Sequence, residues 1–325
     1  MKILSNEDVA TLLPMATAID VVEKVMKNVS KGSETLPLRT AIPVGGSNKM
    51  GVMPGAISDP ACFGVKLVSL FPNNPEKGLS SHRGAIVLFE AETGGAIAMM
   101  DAGLLTAIRT AAASGVATRL LANKDASSLL IVGNGEQAEF HLDSMVCARP
   151  IEKVTVVGRS TEKVTAFVDR ASTKYPELQF TSDIEVQPHT ANADVICTVT
   201  ASAEPVLKGD WISPSTHLNV VGSSIPTMRE IDDAAVLKSS IWVDYWPSAE
   251  AQAGEIVDMM GAGKLDRNFI RGEIGAALSG EASGRSDISE ITLYRSLGIA
   301  AQDLAAAHYV LTQAVQKGMG QDVAF

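Results

Sequence analysis

Apolar positions recur at near-helical spacing over residues 5–29, through Leu12, Ala18, Val21, Val22, Val25 and Met26. They predict one capped amphipathic helix or two, with that face packed inward. From Leu38 the period shortens. Segments 39–43, 49–56, 63–71, 83–89 and 96–100 are short apolar runs between turns, with no long helix among them, and predict an antiparallel or mixed sheet. Asp101 suits a helix N-terminus and opens a long helix through Leu105, Ile108, Ala112 and Val116 toward Leu121.

The second half has another rhythm. Leu129-Leu130-Ile131-Val132 is an apolar run that collapses into Gly133-Asn134-Gly135 and reopens as the helix-competent Glu136-Gln137-Ala138. In such a strand, turn and helix start, the first glycine permits a sharp turn. The second lets a dinucleotide pyrophosphate approach the backbone, and the small Ala138 allows close helix packing. The helix N-terminus supplies N–H groups to the phosphates. One helix later comes a second strand, 154–157, and then strands at 195–199, 218–221 and 241–243, alternating with helical segments as a parallel sheet requires. Segment 261–287 is glycine-rich and polar and reads as a surface excursion; 291–317 reads as one long final helix that returns to the first domain. The fold class is therefore α/β: a Rossmann-type parallel-sheet domain, 121–290, plus a mixed α+β domain made of 1–120 and 291–325.

The end of the second strand bears on the cofactor. A carboxylate there would bind the 2′-hydroxyl of NAD, but this chain has Gly158-Arg159-Ser160. Arg159 and Ser160 can grip a 2′-phosphate, which favours NADP(H) and leaves NAD(H) open. The alternative is that Arg159 is a solvated turn residue.

With 325 residues and a formal charge of −10, the chain has enough apolar content for a sizeable core and no basic run. Nucleic acid and anionic membrane surfaces are thus poor partners. The N-terminus carries acids where a signal peptide has its apolar stretch, and no run reaches the roughly 18 apolar residues of a membrane span, which makes the cytoplasm the expected compartment. Cys62, Cys147 and Cys197 lack metal-ligand spacing and read as buried reduced thiols; the five histidines show no paired spacing, so no metal site is expected.

Three cations stand in apolar or small-residue surroundings: Arg39 opening a strand, Lys66 inside one, and Arg109 on the long helix. Burying Lys66 calls for an anion. A substrate carboxylate, gripped also by Arg39 or Arg109, would serve; so would an internal acid such as Asp101, and a solvent-facing strand edge would remove the need. His82, in Ser81-His82-Arg83 at a strand entry, is a turn or core residue or a proton carrier. Ser223 and Ser224 follow a strand of the nucleotide domain, where residues border the ligand crevice. One of them can face the nicotinamide, or cap a helix ahead of Pro226.

Taken together, Lys66-Leu67-Val68, Ser81-His82-Arg83, Asp101-Ala102 with Thr106 through Ala112, the Gly133 turn, Val221-Gly222-Ser223-Ser224 with Pro226 and Arg229-Glu230, and Ile291-Thr292-Leu293 resemble the ornithine cyclodeaminase and mu-crystallin family over nearly the whole chain. The resemblance implies a substrate-binding and dimerising domain with a Rossmann domain inserted, and a homodimer meeting at the mixed sheet. It places a substrate carboxylate at Arg39, Lys66 and Arg109, facing the nicotinamide, with Met53 beside it. Gly133, Asn134, Gly135, Glu136, Gln137, Ala138, Arg159, Ser160, Thr110, Thr200 and Ser223 are assigned to the cofactor.

One departure matters. Cyclodeaminases of the family carry a catalytic aspartate where this chain has Ser224, and a neutral hydroxyl is a poor general base. The mu-crystallin-like branch shares that serine and includes ketimine reductases. The resemblance therefore implies reduction of a cyclic α-imino acid such as Δ1-pyrroline-2-carboxylate or Δ1-piperideine-2-carboxylate, with Lys66, Ser224 and His82 as catalytic candidates. Ornithine cyclodeamination, an alanine or other amino-acid dehydrogenase, and a non-enzymatic binding protein are the alternatives.

Overall fold

Ser5 starts the first helix with a reciprocal cap: its hydroxyl accepts from the Asp8 amide (3.2 Å), and the Asp8 carboxylate accepts from the Ser5 amide (2.8 Å). In the computed structural model, which describes residues 1–324, that helix belongs to a unit formed by Met1–Ala112 and the segment from Gly298 onward; Ala113–Leu297 form a second unit. The first unit holds β1 (Lys2–Leu4), α1 (Asn6–Leu12), α2 (Met15–Ser30), β2 (Thr40–Gly45), β3 (Asn48–Ser58), β4 (Ala61–Leu70), β5 (His82–Glu90), β6 (Ala96–Asp101) and the start of α3 (Ala102–Leu121). The division between the two units falls after Ala112, within the unbroken helix α3.

The second unit holds β7 (Ser128–Val132), α4 (Glu136–Ala148), β8 (Lys153–Val157), α5 (Thr161–Lys174), β9 (Gln179–Asp183), α6 (Gln187–Thr190), β10 (Val195–Thr198), β11 (His217–Val220), α7 (Asp233–Leu237), β12 (Ser239–Val243), α8 (Trp246–Gln252), α9 (Gly254–Gly261), β13 (Gly272–Glu273), α10 (Ile274–Leu278) and β14 (Ile291–Arg295). The chain then rejoins the first unit in α11 (Ala300–Lys317) and β15 (Gln321–Asp322).

The first unit's sheet is mixed, ordered β15-β1-β6-β5-β4-β3-β2, with β1 parallel to β6 and the other neighbours antiparallel. Helices α2 and α11 pack together, and α11 lies on β3, β4 and β5. Strand β4 shows the two-residue period: Cys62, Lys66 and Val68 are buried, whereas Phe63 and Leu67 are exposed.

The second unit's sheet is parallel throughout, ordered β13-β12-β14-β11-β10-β7-β8-β9. Because both faces are covered, its central strands are buried along their length, and β7 and β10 are largely apolar. Leu129 and Ile131 join Ala138, Leu142, Met145, Val164 and Phe167 in one core, while Leu130 and Val132 join Leu218, Val220, Val243 and Leu293 in another. The order reverses at β7, flanked by β8 and β10, so the Gly133 turn lies at the topological switch point where ligands of open α/β sheets bind.

Four expectations are corrected. Residues 291–295 form β14 between β11 and β12, not the start of a helix: Ile291, Thr292 and Tyr294 favour extended backbone, and Gly298 at φ +75° turns the chain before α11. Segment 261–287 is more than a surface excursion, since β13 pairs with β12 and Leu265, Ile270 and Ile274 are buried. Cys147 is exposed, while Cys62 and Cys197 are buried. Neither Ser223 nor Ser224 caps a helix; the next one, α7, is capped by Asp232, whose side chain accepts from Ala235 N. Among the described residues no helix is long and apolar enough to cross a membrane.

Candidate functional site

In the first unit, Lys66 lies mid-strand on the face of β4 that α11 covers, and Asp303 lies in the first turn of α11. Lys66 Nζ is 2.9 Å from the Asp303 carboxylate, and Arg109 Nε, from α3, is 2.7 Å from Asp303 Oδ1. Arg109 Nη1 also donates to Gln302 Oε1 (2.9 Å). The acid that meets Lys66 is thus Asp303; Asp101 instead accepts from Leu104 N (2.9 Å) at the start of α3. Arg39 donates to the carbonyl of Gly298 (2.6 Å), on the same approach to α11.

Lys66, Arg109 and Asp303 are buried, at 2%, 4% and 0% exposure. Two cations on one carboxylate leave positive charge in excess. Burial lowers the Lys66 pKa to about 7, helped by the Arg109 charge and opposed by Asp303. Met53 is paired with Lys66 across β3 and β4 and is buried beside it. His82 opens β5; Ser81 Oγ lies 2.9 Å from its Nδ1. Although the residue is exposed overall, desolvation of its ring, followed by the charges of Lys66 and Arg109, holds the imidazole below the ordinary histidine value. The first unit thus gathers Arg39, Lys66, Arg109, Met53 and the field at His82. Thr110 follows Arg109 on α3, half-buried.

In the second unit, Gly133 has φ +115°, and a Cβ there would stand 2.8 Å from the carbonyl of Val199, so only glycine suits the turn. Gly135 is the N-cap of α4, offers no side-chain cap, and has open space where a Cβ would project. Asn134 reaches the end of the second strand: a Cβ on Gly158 would stand 2.6 Å from Asn134 Oδ1. Glu136 and Gln137 form the first turn of α4, and Ala138 is fully buried beneath it. This cradle fits a dinucleotide pyrophosphate.

Arg159 is exposed, and among the described residues it makes no ion pair, whereas the neighbouring Ser160 hydroxyl caps α5 by accepting from Lys163 N (3.4 Å). Two residues assigned to the cofactor have hydroxyls in contact with buried charged side chains. Thr200 donates through its amide and hydroxyl to Glu230 Oε1 (2.6 and 2.7 Å), and Ser223, 1% exposed, accepts from Arg295 at its carbonyl and its hydroxyl (2.6 and 3.0 Å). Ser224 is half-buried in the loop after β11.

Asp303, Glu230 and Arg295 were not among the sequence candidates for chemistry. The signal for Asp303 was the one used for Lys66, a lone charge in an apolar run, here between Ala300 and Val310. Among the described residues no group of histidine, cysteine and carboxylate side chains is arranged to hold a metal ion.

An α/β fold with a parallel nucleotide-type sheet and a buried cation cluster on a separate mixed sheet defines the class. The profile of the ornithine cyclodeaminase/mu-crystallin family matches residues 1–318, and the chain belongs to that family. It is 31% identical to a Δ1-pyrroline-2-carboxylate reductase of Bacillus cereus over 329 aligned positions, covering 100% of both chains. It is 34% identical to Thermococcus litoralis Δ1-pyrroline-2-carboxylate reductase, whose structure holds NADH and L-proline; the TM-score is 0.95, with 99% of this chain and 100% of that chain covered. An archaeal alanine dehydrogenase dimer with bound NAD is 29% identical, with a TM-score of 0.93 over 100% of this chain and 99% of that chain.

Proposed function

We propose that this chain is an NAD(P)H-dependent reductase of cyclic α-imino acids, acting on Δ1-pyrroline-2-carboxylate or Δ1-piperideine-2-carboxylate to give L-proline or L-pipecolate. The observation that carries the reading is the convergence of Lys66 and Arg109 on Asp303, with Arg39 beside them on Gly298. It is a preformed, positively charged seat for one small carboxylate. The likeness to two Δ1-pyrroline-2-carboxylate reductases, one with NADH and proline bound, supports it.

A protonated ring imine is already electrophilic, so the enzyme's task is chiefly to hold the substrate. Arg39, Lys66 and Arg109 bind the carboxylate, and Met53 packs beside it. The Gly133–Gly135 turn and the α4 N-terminus hold the pyrophosphate, with Asn134 steadying the turn. The bound dinucleotide supplies a hydride to the imine carbon. Ser224, directly or through a water, contacts the ring nitrogen. His82, kept largely neutral by its surroundings, orients or relays the proton. Having no carboxylate at position 224, the chain lacks the base that the family's cyclodeaminases use on an amine. Arg159 and the Ser160 hydroxyl, which still has its proton to donate, favour NADPH over NADH.

The chain acts as a homodimer through the open face of its mixed sheet. On that face Phe63 stacks on Phe89 with ring centroids 5.1 Å apart, and Phe63, Leu67 and Met99 stay 36–38% exposed. Apolar side chains gathered on one sheet face call for a partner. The test of the activity is reduced-cofactor oxidation with the cyclic imine, set against pyruvate with ammonia and against ornithine with NAD.

A further inference from the structure

The proposed chemistry leaves unused a carboxylate that ties together the carboxyl ends of β10 and β11. Glu230 is fully buried. Its Oε1 accepts from Thr200 N (2.6 Å) and Thr200 Oγ1 (2.7 Å); its Oε2 accepts from Gly222 N (2.7 Å) and Thr198 Oγ1 (3.0 Å). Its backbone carbonyl receives Val206 N (2.8 Å) and Leu207 N (3.0 Å). Every partner of the side chain is a donor, so an ionised carboxylate satisfies all four, and an isosteric amide would set N–H against N–H. The strand ends it joins are in close apposition: a Cβ on Gly222 would stand 2.0 Å from the carbonyl of Thr200.

The same turn is gripped from its carbonyl side. Arg295, fully buried at the end of β14, donates through Nη2 to Ser223 O (2.6 Å) and Ser223 Oγ (3.0 Å), and through Nη1 to Val220 O (3.2 Å). Its Nε pairs with the buried Glu255. The turn from Val220 to Ser223 is therefore held by an anion on an amide and by a cation on its carbonyls. Two buried charges spent on one short turn exceed what packing requires, because burying each carries a large desolvation penalty.

We propose that Glu230 and Arg295 are positioning residues that fix the 221–224 turn and the start of the loop after β10 against the nicotinamide half of the cofactor. The inference rests on the reading of this unit as the dinucleotide domain, and on the rule that ligands lie outside the carboxyl ends of parallel strands. Both residues act through the backbone they hold. The adenosine half depends chiefly on the Gly158-Arg159-Ser160 corner.

The test is fluorescence or calorimetric titration of Glu230→Gln and of the wild-type chain with NADPH, NADH, ADP-ribose and 2′-phospho-ADP-ribose. The expected result is affinity for the preferred reduced dinucleotide weakened about tenfold or more, the scale of losing a hydrogen bond to a buried charge. The matching fragment, which lacks the nicotinamide, keeps its affinity within about twofold. Equal affinities for the dinucleotide in variant and wild type, or equal losses for dinucleotide and fragment, overturn the proposal. Should Glu230→Gln fail to fold, Thr198→Val removes one of the four donors and is titrated in the same way. A loss confined to the dinucleotide then supports the proposal, and no selective loss overturns it. A wild-type chain that binds none of the four ligands would instead refute the dinucleotide reading itself.

Discussion

Lys66 and Asp303 are 237 residues apart in sequence, yet the ammonium and the carboxylate meet at 2.9 Å in the buried interior of the first unit. The contact explains why the last helix must return to the N-terminal sheet: without Asp303, Lys66 and Arg109 would be two buried like charges. Burial and the Arg109 charge, opposed by Asp303, bring the Lys66 pKa to about 7, so the positive charge of the anion seat changes around neutral pH.

The pH dependence of substrate binding follows. As pH rises through about 7 the fraction of charged Lys66 falls, so KM for a carboxylated substrate rises on the alkaline side of neutrality. Steady-state kinetics between about pH 6 and 9 measure it. Lys66→Arg, whose guanidinium stays charged, flattens the profile; Lys66→Met raises KM at every pH, and normal turnover in that variant would put the anion seat elsewhere.

Two buried histidines predict acid sensitivity. Burial holds His141 at about 4 and His217 at about 3, both below the ordinary value of 6.5, so both are neutral in the folded protein. The unfolded chain binds more protons as pH falls below about 6.5, and folding stability declines from there toward the folded values. His141 Nε2 lies 3.0 Å from Ser114 Oγ, and its Nδ1 lies 2.8 Å from Gln137 O in the nucleotide turn's helix. The loss from this residue is on the order of 3 kcal/mol between neutral pH and about pH 4. Urea unfolding across that range checks it, and His141→Gln shows a shallower pH slope than the wild type.

Much of this was legible in the sequence because it depends on local pattern. The strand periods of the mixed sheet, the Asp101 helix start and the Gly133 turn are short-range features, and they stand where the periodicity placed them. The same pattern misread 291–299, since an apolar stretch leading into an alanine-rich helix looks helical until a neighbouring strand claims it. Strand β9 escaped notice because, at the sheet edge, it is polar. The long-range pairings, Asp303 with Lys66 and Glu230 with Thr200, carry no local signature. The individual charges were visible, but their partners are set by topology.

The cofactor assignment is tested at the end of β8. Arg159→Asp places a carboxylate where a ribose 2′-hydroxyl would be bound, and it should shift the ratio of kcat/KM for NADPH over NADH about tenfold or more toward NADH. Unchanged selectivity would leave Arg159 a solvated turn residue.

The open sheet face gives a separate expectation. Leu67→Glu puts a charge on the sheet face that also carries Phe63, Phe89 and Met99, the face turned away from α11, so the core of the unit is spared. Light scattering coupled to size exclusion should show wild-type dimer and variant monomer, with helical circular dichroism retained. A wild-type monomer would refute the assembly.

The most direct measurement is the rate of NADPH and NADH oxidation with Δ1-pyrroline-2-carboxylate, run beside pyruvate with ammonia and beside ornithine with NAD. Fast turnover of the cyclic imine, and of neither control, is the result this account predicts. Silence with the imine and activity on pyruvate with ammonia, or release of ammonia from ornithine without net reduction, would contradict it and require a base that Ser224 does not supply.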